Sequence, residues 1–478
     1  MRVFLTVPSY DLLRKAYGIK KSTVGGFEPP LGLAYLASVL RQAGHQVTIY
    51  DPLPTHGTDE ACLEEVRRFQ PDVIGISVIS CLYPQAKRLA GVLKAAYPSV
   101  PLLIGGPHCF HEPEGPIDDC EHFDISVAGE AEDRILAILD SFSRPEALSR
   151  IDGICYRWDG KTIKTPPAKP PRNLDDIPFP ARDLLGREAY SNLPYLRSHR
   201  KTAWMIASRG CPWRKCTFCY QSRMEMPTYR CRSVENVLDE IEQLIAREGV
   251  EEITFLDVCM VGNRGWVAKL CDEIVRRGLK FHWSCQTRID SVTPELLKRM
   301  ARAGCYNIYY GIESADQRLL DLMCKGFTIE QVRDAVRWTH EAGIEVVGSF
   351  ILGLPTETPE EGRKAVQLAV ELDLDYAVFH YFHPESGTKI MKDAYEHGQV
   401  LSVDDPDFAR VNYLPEAYGS VEKVEDVVSY SYRKFYLRPS YIAKRLSRIR
   451  NLPNLARHVK GLAIALGRLQ RGSSVSST

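Results

Sequence analysis

Hydrophobic and polar positions alternate along this chain in two successive rhythms. Up to about residue 142, short apolar runs take turns with stretches of helical period. The runs are Arg2–Pro8, Gln46–Pro52, Asp72–Ser80, Val100–Pro107 and Phe123–Glu130; the helical stretches are Leu31–Gln42, Asp59–Phe69, Tyr83–Tyr97 and Ala131–Ser141. Strand-length runs separated by helices predict βαβ units, and so a parallel sheet. Five such strands predict a doubly wound, flavodoxin-like (Rossmann-type) domain over residues 1–142, which takes ligands beyond the carboxyl ends of its strands.

The second rhythm covers residues 204–383. Apolar runs near Trp204–Ser208, Glu252–Asp257, Lys280–Thr287, Cys305–Glu313, Glu345–Leu354 and Tyr376–His383 alternate with capped helices. Thr328-Ile329-Glu330-Gln331 and Thr358-Pro359-Glu360-Glu361 read as capping boxes, and Thr293-Pro294 sets proline at a first helical position. Six units predict a partial (β/α)6, TIM-like barrel with its chemistry at the C-terminal ends of the strands. Residues 143–203 form a connector. Its Asp159-Gly160 pair between apolar runs is a hairpin signal, and its dense prolines read as a semi-rigid strap or bare linker. Residues 384–478 read as a mainly helical C-terminal region, with a helix at Lys389–Gly398 and basic amphipathic stretches at Tyr441–Ile449 and Leu455–Leu469.

Charge changes one part of this picture. The 478 residues sum to zero formal charge, yet residues 427–478 hold eleven Lys and Arg and no acid. Basic amphipathic helices can lie on an anionic membrane, but more often pack on their own domain; the expectation is that these cap the barrel mouth. No apolar stretch is long enough to span a bilayer, no signal peptide is visible, and no aromatic-plus-basic groove points to nucleic acid. Fourteen cysteines in no framework spacing point to a reducing, cytoplasmic setting.

The candidate chemistry centres on Ser208-Arg209-Gly210-Cys211-Pro212-Trp213-Arg214-Lys215-Cys216-Thr217-Phe218-Cys219-Tyr220, at the end of the first barrel strand. Cys211, Cys216 and Cys219 are spaced C-x4-C-x2-C, a ligand set for a soft metal. A closed zinc site needs four protein ligands, and the loop has no second cysteine pair. An iron–sulfur cluster on three cysteines leaves one iron open. Buried structural thiols fit poorly with so polar a loop. Of these three readings the cluster is preferred.

This loop resembles the cluster motif of the radical S-adenosylmethionine enzymes, including the aromatic Phe218 before the third cysteine, although the common spacing there is C-x3-C-x2-C. The resemblance implies a [4Fe-4S] cluster whose open iron is chelated by S-adenosylmethionine. It also implies that Asp257 or its backbone holds the methionine amino group, that Gln286 and Glu313 contact the ribose, and that Arg288 takes the methionine carboxylate. The strand containing Ile351 would pack on adenine, and Tyr220 joins the cofactor-binding set. Taken without the cysteine loop, Glu313 and Arg288 read rather as a structural ion pair inside the barrel.

In the first domain, the predicted strand ends carry small residues: Ser77 and Ser80, then Gly105-Gly106-Pro107-His108, then Gly129-Glu130. Glycines there let a large ligand approach the backbone. With Glu28-Pro29-Pro30-Leu31-Gly32 and Ala43-Gly44-His45, this pattern resembles the cobalamin-binding domain that precedes the radical domain in one large subfamily. Pro30, Gly32, Ser77, Ser80, Gly105, Gly106, Pro107, His108, Gly129 and Glu130 are the implied contacts. The Asp-x-His-x-x-Gly motif that supplies an axial histidine elsewhere is missing, since Asp51 and His56 are spaced wrongly for it. The implied cobalamin is therefore base-off with no histidine on cobalt, its lower face covered by the Cys81-Leu82-Tyr83 loop. His45, His56 and His108 read as surface or turn histidines. Together these features imply radical C-methylation of a small-molecule, lipid or tetrapyrrole substrate, anaerobically, with flavodoxin or ferredoxin as electron donor. Radical cyclisation or rearrangement is the alternative, and a cobalamin sensor is disfavoured by the complete cysteine loop. No residue is assigned a catalytic role.

Overall fold

The structure, a computed structural model, describes residues 1–9, 28–110, 113–186, 190, 201–223, 229–403 and 410–447. They fall into two compact units, one ending at Tyr190 and the other following it.

The first unit is built on one sheet: β1 Arg2–Thr6, β2 Gln46–Tyr50, β3 Val73–Ser77, β4 Leu102–Gly105, β5 Ile125–Val127, β6 Ile154–Trp158 and β7 Lys161–Lys164. Their order is 2-1-3-4-5-6-7. The first five strands are parallel in the flavodoxin order, so the chain reverses its winding between β1 and β3. Helices Leu31–Gln42, Asp59–Phe69 and Tyr83–Ala96 stand where expected. The one at Ala131–Ser141 is shorter, Ile135–Leu139. Its leading residues form a turn in which the Arg134 guanidinium holds the Glu130 and Asp152 carbonyls. The Asp159-Gly160 hairpin forms with both residues at positive φ, 46° and 71°, as a two-residue turn requires. Its strands β6 and β7 continue the sheet as an antiparallel edge.

The second unit carries β8 Thr202–Met205, a small antiparallel pair β9 Ser208–Arg209 and β10 Arg230–Cys231, then β11 Glu252–Phe255, β12 His282–Thr287, β13 Cys305–Glu313, β14 Glu345–Leu352 and β15 Tyr376–Tyr381. The six long strands are all parallel and lie in the order 15-14-13-12-11-8, each beside its predecessor. Such an open, singly wound sheet is a partial barrel. Both capping boxes, at Thr328 and Thr358, are formed.

Strand parity separates two layers in this barrel. Ile253, Phe255, Trp283, Cys285, Ile308, Tyr310, Ile312, Val346, Phe350, Ala377 and Phe379 join the hydrophobic core shared with the helices. Residues of opposite parity face the other way and are largely polar: Thr254, Ser284, Gln286, Asn307, Tyr309, Ser349 and His380. The inside of the barrel is therefore a polar lining, while the packed core lies outside it.

After the barrel the expected helix contracts to Met391–Glu396, and the chain forms a second antiparallel pair, β16 Gly398–Val400 with β17 Tyr413–Pro415. Helix Val421–Tyr436 then packs on β15, and helix Pro439–Ser447 follows it. Tyr441, Lys444 and Arg445 of that last helix bond Asp373 and Asp375, just ahead of β15. They thus sit at the N-terminal end of the barrel strands, so the expectation that this helix caps the mouth is wrong. Leu455–Leu469 lies outside the described residues. No helix among the described residues is long and apolar enough to cross a membrane.

Candidate cluster and cofactor sites

β8 runs directly into the cysteine loop, and Asp257 braces the junction. Its carboxylate is almost fully buried and accepts from Ala207 N (3.1 Å), Ser208 N and Ser208 Oγ (2.5 Å). Burial raises its pKa to about 6 against those hydrogen bonds. The carboxylate is therefore spent on the chain that presents the cysteines. The extra residue in the first cysteine gap is accommodated by Arg214, which takes the left-handed conformation (φ 51°). Beyond it the loop is pinned at several points: Thr217 N to Met323 O (3.0 Å), Thr217 Oγ to Leu322 O (3.0 Å), Ile390 N to Thr217 O (3.0 Å) and Trp213 Nε1 to Cys324 O (2.8 Å). Gly326 lies under Trp213 so closely that a Cβ would stand 2.1 Å from the indole.

Cys211, Cys216 and Cys219 are half-buried. Three thiols in one loop form a donor set that fits an iron–sulfur cluster with one iron open. Two cations offset the charge of thiolates here. Arg288 Nη1 lies 3.8 Å from Cys216 Sγ, and buried Lys325 carries its ammonium 3.2 Å from Glu313 Oε1. Burial pushes the Cys219 thiol up to about 12 and raises Cys216, opposed for Cys216 by Lys325 and Arg288.

A fourth cysteine escaped the sequence reading. Cys259 is fully buried, its thiol 3.5 Å from Thr287 Oγ and hydrogen-bonded to Cys211. That bond is the main reason the Cys211 thiol falls to about 5. Its signal was Asp257-Val258-Cys259, two residues beyond an assigned acid.

The remaining candidates line the end of the barrel interior. Gln286, half-buried, pairs in register with Tyr309 across β12 and β13. Glu313 follows a β-bulge at Gly311, and its own backbone is left-handed (φ 69°), uncommon for a buried glutamate and a device that re-aims a side chain. Ser349 Oγ stands 3.5 Å from its Oε2. Ile351 shares the inward parity of Ser349, and Tyr220 begins a short helix after the third cysteine. Arg288 pairs with Asp290 and Glu313 with Lys325, so the alternative, a Glu313–Arg288 ion pair, does not form.

In the first unit, Ser77, Gly105 and Gly129 gather at the carboxyl ends of β3, β4 and β5. Gly106 (φ 92°) must be glycine, because a Cβ would meet Ser77 Oγ and Val78 backbone at 2.8 Å. Gly32 faces open space, and Pro30 precedes the first helix turn. Pro107 and His108 start a short helix after β4; Glu130 follows Gly129. His108 departs from the surface reading. It is half-buried, stacked on Tyr83 at 4.1 Å, with Nδ1 3.3 Å from Ser80 Oγ, and burial lowers its pKa to about 4. Cys81 and Leu82 are buried, whereas Ile79 leaves an apolar side chain 39% exposed at the end of β3. The alternation of β3 could have flagged it. The glycine cradle fits a broad ligand such as a corrinoid.

Residues 205–369 match the family model described as the Radical SAM superfamily, and residues 19–139 match the B12 binding domain. The chain is 33% identical over 447 residues to an uncharacterised methyltransferase of Pyrococcus horikoshii, covering 93% of this chain and 94% of that one. It is 27% identical to the anaerobic magnesium-protoporphyrin IX monomethyl ester cyclase of Rubrivivax gelatinosus, covering 92% and 78%. The structure of the radical S-adenosylmethionine methyltransferase TsrM from Kitasatospora setae, with cobalamin and a [4Fe-4S] cluster bound, superposes with a TM-score of 0.70 at 17% identity, covering 98% and 99%. With a three-cysteine loop at the barrel mouth, a glycine cradle at the carboxyl ends of β3, β4 and β5, and a relative of this identity over 93% of its length, the chain belongs to the cobalamin-dependent radical S-adenosylmethionine enzymes.

Proposed function

We propose that this protein methylates an unactivated carbon of a small-molecule, lipid or tetrapyrrole substrate. The observation that carries the reading is the three-thiol loop braced at the end of β8, in a chain whose first unit holds a glycine cradle. When bound, the cluster supplies the electron that makes S-adenosylmethionine a radical source, and cobalamin supplies a methyl carrier. Cys211, Cys216 and Cys219 hold the cluster. Gln286, Glu313, Ser349 and Ile351 line the nucleoside end of S-adenosylmethionine, with the backbone beside Asp257 receiving its amino group. Ser77, Gly105, Gly106 and Gly129 let the corrinoid approach the backbone, and Ile79 offers it an apolar contact. His108 is stacked on Tyr83 and bonded through Nδ1 to Ser80; following the family resemblance, cobalamin would be held base-off with no histidine on cobalt. Flavodoxin or ferredoxin would deliver electrons in the cytoplasm.

The methyltransferase name of the Pyrococcus relative supports methylation; the cyclase name of the Rubrivivax relative keeps radical ring formation as the second reading. Anaerobic reactions of reconstituted protein with methyl-deuterated S-adenosylmethionine and lipid or metabolite extracts test it by mass spectrometry. Methylation gives S-adenosylhomocysteine together with a deuterated product. Deoxyadenosine alone, with a product lighter by two hydrogens, replaces it with ring formation.

A further inference from the structure

We propose that Arg288 is a positioning residue for the cluster, acting through Cys216 to raise its reduction potential, rather than a ligand for the methionine carboxylate. The guanidinium has five N–H groups, and four meet protein acceptors. Nε and Nη2 form a fork on Asp290 at 2.9 and 2.8 Å, Nη2 also reaches Lys325 O at 2.6 Å, and Nη1 points to Cys216 Sγ at 3.8 Å. The flat cation is clasped between aromatic faces, 4.6 Å from the Trp213 ring and 5.5 Å from that of Phe327. Trp213 belongs to the cysteine loop itself and is fixed by its bond to Cys324 O. The group is thus immobilised, permanently charged and aimed at one sulfur ligand, while its bidentate face is spent on Asp290.

A cation donating to a cluster sulfur stabilises the more negative, reduced state, and hydrogen bonds to the sulfurs are among the levers that set cluster potentials. Asp290, 26% exposed, moderates that effect by partly neutralising Arg288. A second cation acting on Cys216, Lys325, is paired with Glu313. The two members of the Arg288–Asp290 pair should therefore move the potential in opposite directions.

The inference rests on the cluster assignment, and both can be read from one experiment on full-length protein reconstituted anaerobically. Iron content and the spectrum of the unaltered protein decide whether a cluster is present. A one-electron titration monitored by electron paramagnetic resonance then compares it with Arg288→Gln, Arg288→Lys and Asp290→Asn. In Arg288→Gln the ratio of reduced to oxidised cluster at a fixed potential should fall about tenfold, equivalent to about 59 mV for a one-electron couple. Arg288→Lys should recover part of the loss, and Asp290→Asn should shift the potential upward. S-adenosylmethionine affinity, by equilibrium dialysis, should stay within about twofold in Arg288→Gln. Unchanged potentials with full iron, or a large loss of S-adenosylmethionine affinity instead, would overturn the inference and leave the cluster standing. Loss of iron from both Arg288 variants would overturn it too, since Arg288 would then merely support the loop.

Discussion

The hydroxyl of Tyr432 serves both backbone groups of Phe379, donating to its carbonyl and accepting from its N–H, each at 3.2 Å. One helical turn later, Tyr436 does the same for Ala377, and Tyr441 donates to Asp375 O at 3.1 Å. These are the edge groups of β15, which an open barrel would otherwise leave unpaired. Three phenols close that edge where a further strand would in a complete barrel. Removing the Tyr432 hydroxyl leaves a buried N–H and C=O without partners. Tyr432→Phe should therefore destabilise the second unit by about 1–3 kcal/mol with little change in shape. Urea unfolding followed by tryptophan fluorescence measures it; a loss below about 0.5 kcal/mol would show that water takes over the edge.

The cysteines separate by function. Alanine at Cys211, Cys216 and Cys219 together should abolish the visible iron absorbance of reconstituted protein, while the first unit stays folded. Cys259→Ser should keep about four irons per chain, because Cys259 is engaged by Thr287 and by a single cluster cysteine. Iron analysis beside circular dichroism distinguishes the outcomes, and stoichiometric zinc in place of iron would revive the zinc reading.

Buried Glu357 sets a pH dependence. It accepts from Tyr418 OH (2.5 Å), Gly353 N (2.9 Å) and Leu354 N (3.4 Å), yet burial raises its pKa to about 7. A folded-state pKa above the ordinary 4.5 means that the folded chain holds the proton more tightly. The associated stability is fully present below about pH 4.5 and is lost as pH rises through about 7. Glu357→Gln, permanently neutral, should match the parent near pH 4 and exceed it at pH 8 by on the order of 3 kcal/mol. Denaturant midpoints at the two pH values give the comparison; an equal gap at both would refute the assignment.

His108 should be dispensable for cobalt. Its ring is stacked on Tyr83, and the Asp-x-His-x-x-Gly motif that supplies an axial histidine is missing from the chain. His108→Ala should bind cobalamin with the same base-off absorption spectrum as the parent. A histidine nitrogen hyperfine coupling in the cobalt(II) state of the parent protein would contradict this.

Local signals carried most of the architecture, because capping residues, helical periods and strand-length runs act over a few neighbours. Thr328 and Thr358 show this: each box is complete within four residues. The cysteine loop was equally legible, since its three ligands are nearly contiguous. What escaped depends on distance along the chain. Cys259 meets Cys211 only once two strands lie side by side, and Tyr432 meets Phe379 across 53 residues. The hairpin at Asp159-Gly160 was visible, but not which sheet it would extend. For Arg288, the family resemblance implied a carboxylate ligand; only the positions of Asp290, Lys325 and Trp213 show where its hydrogens go.

The polar lining of the barrel bears on how such an enzyme can change over time. Apart from the positions given to S-adenosylmethionine, inward residues such as Tyr309 and His380 contribute little to the packed core, which lies on the opposite face of the same strands. A residue that does not hold the fold together is free to vary without unfolding it. Selection or laboratory evolution can therefore rewrite the inner wall, and with it the molecule accepted, while the outer belt keeps the strands in register. The scaffold is conservative on one side of each strand and permissive on the other.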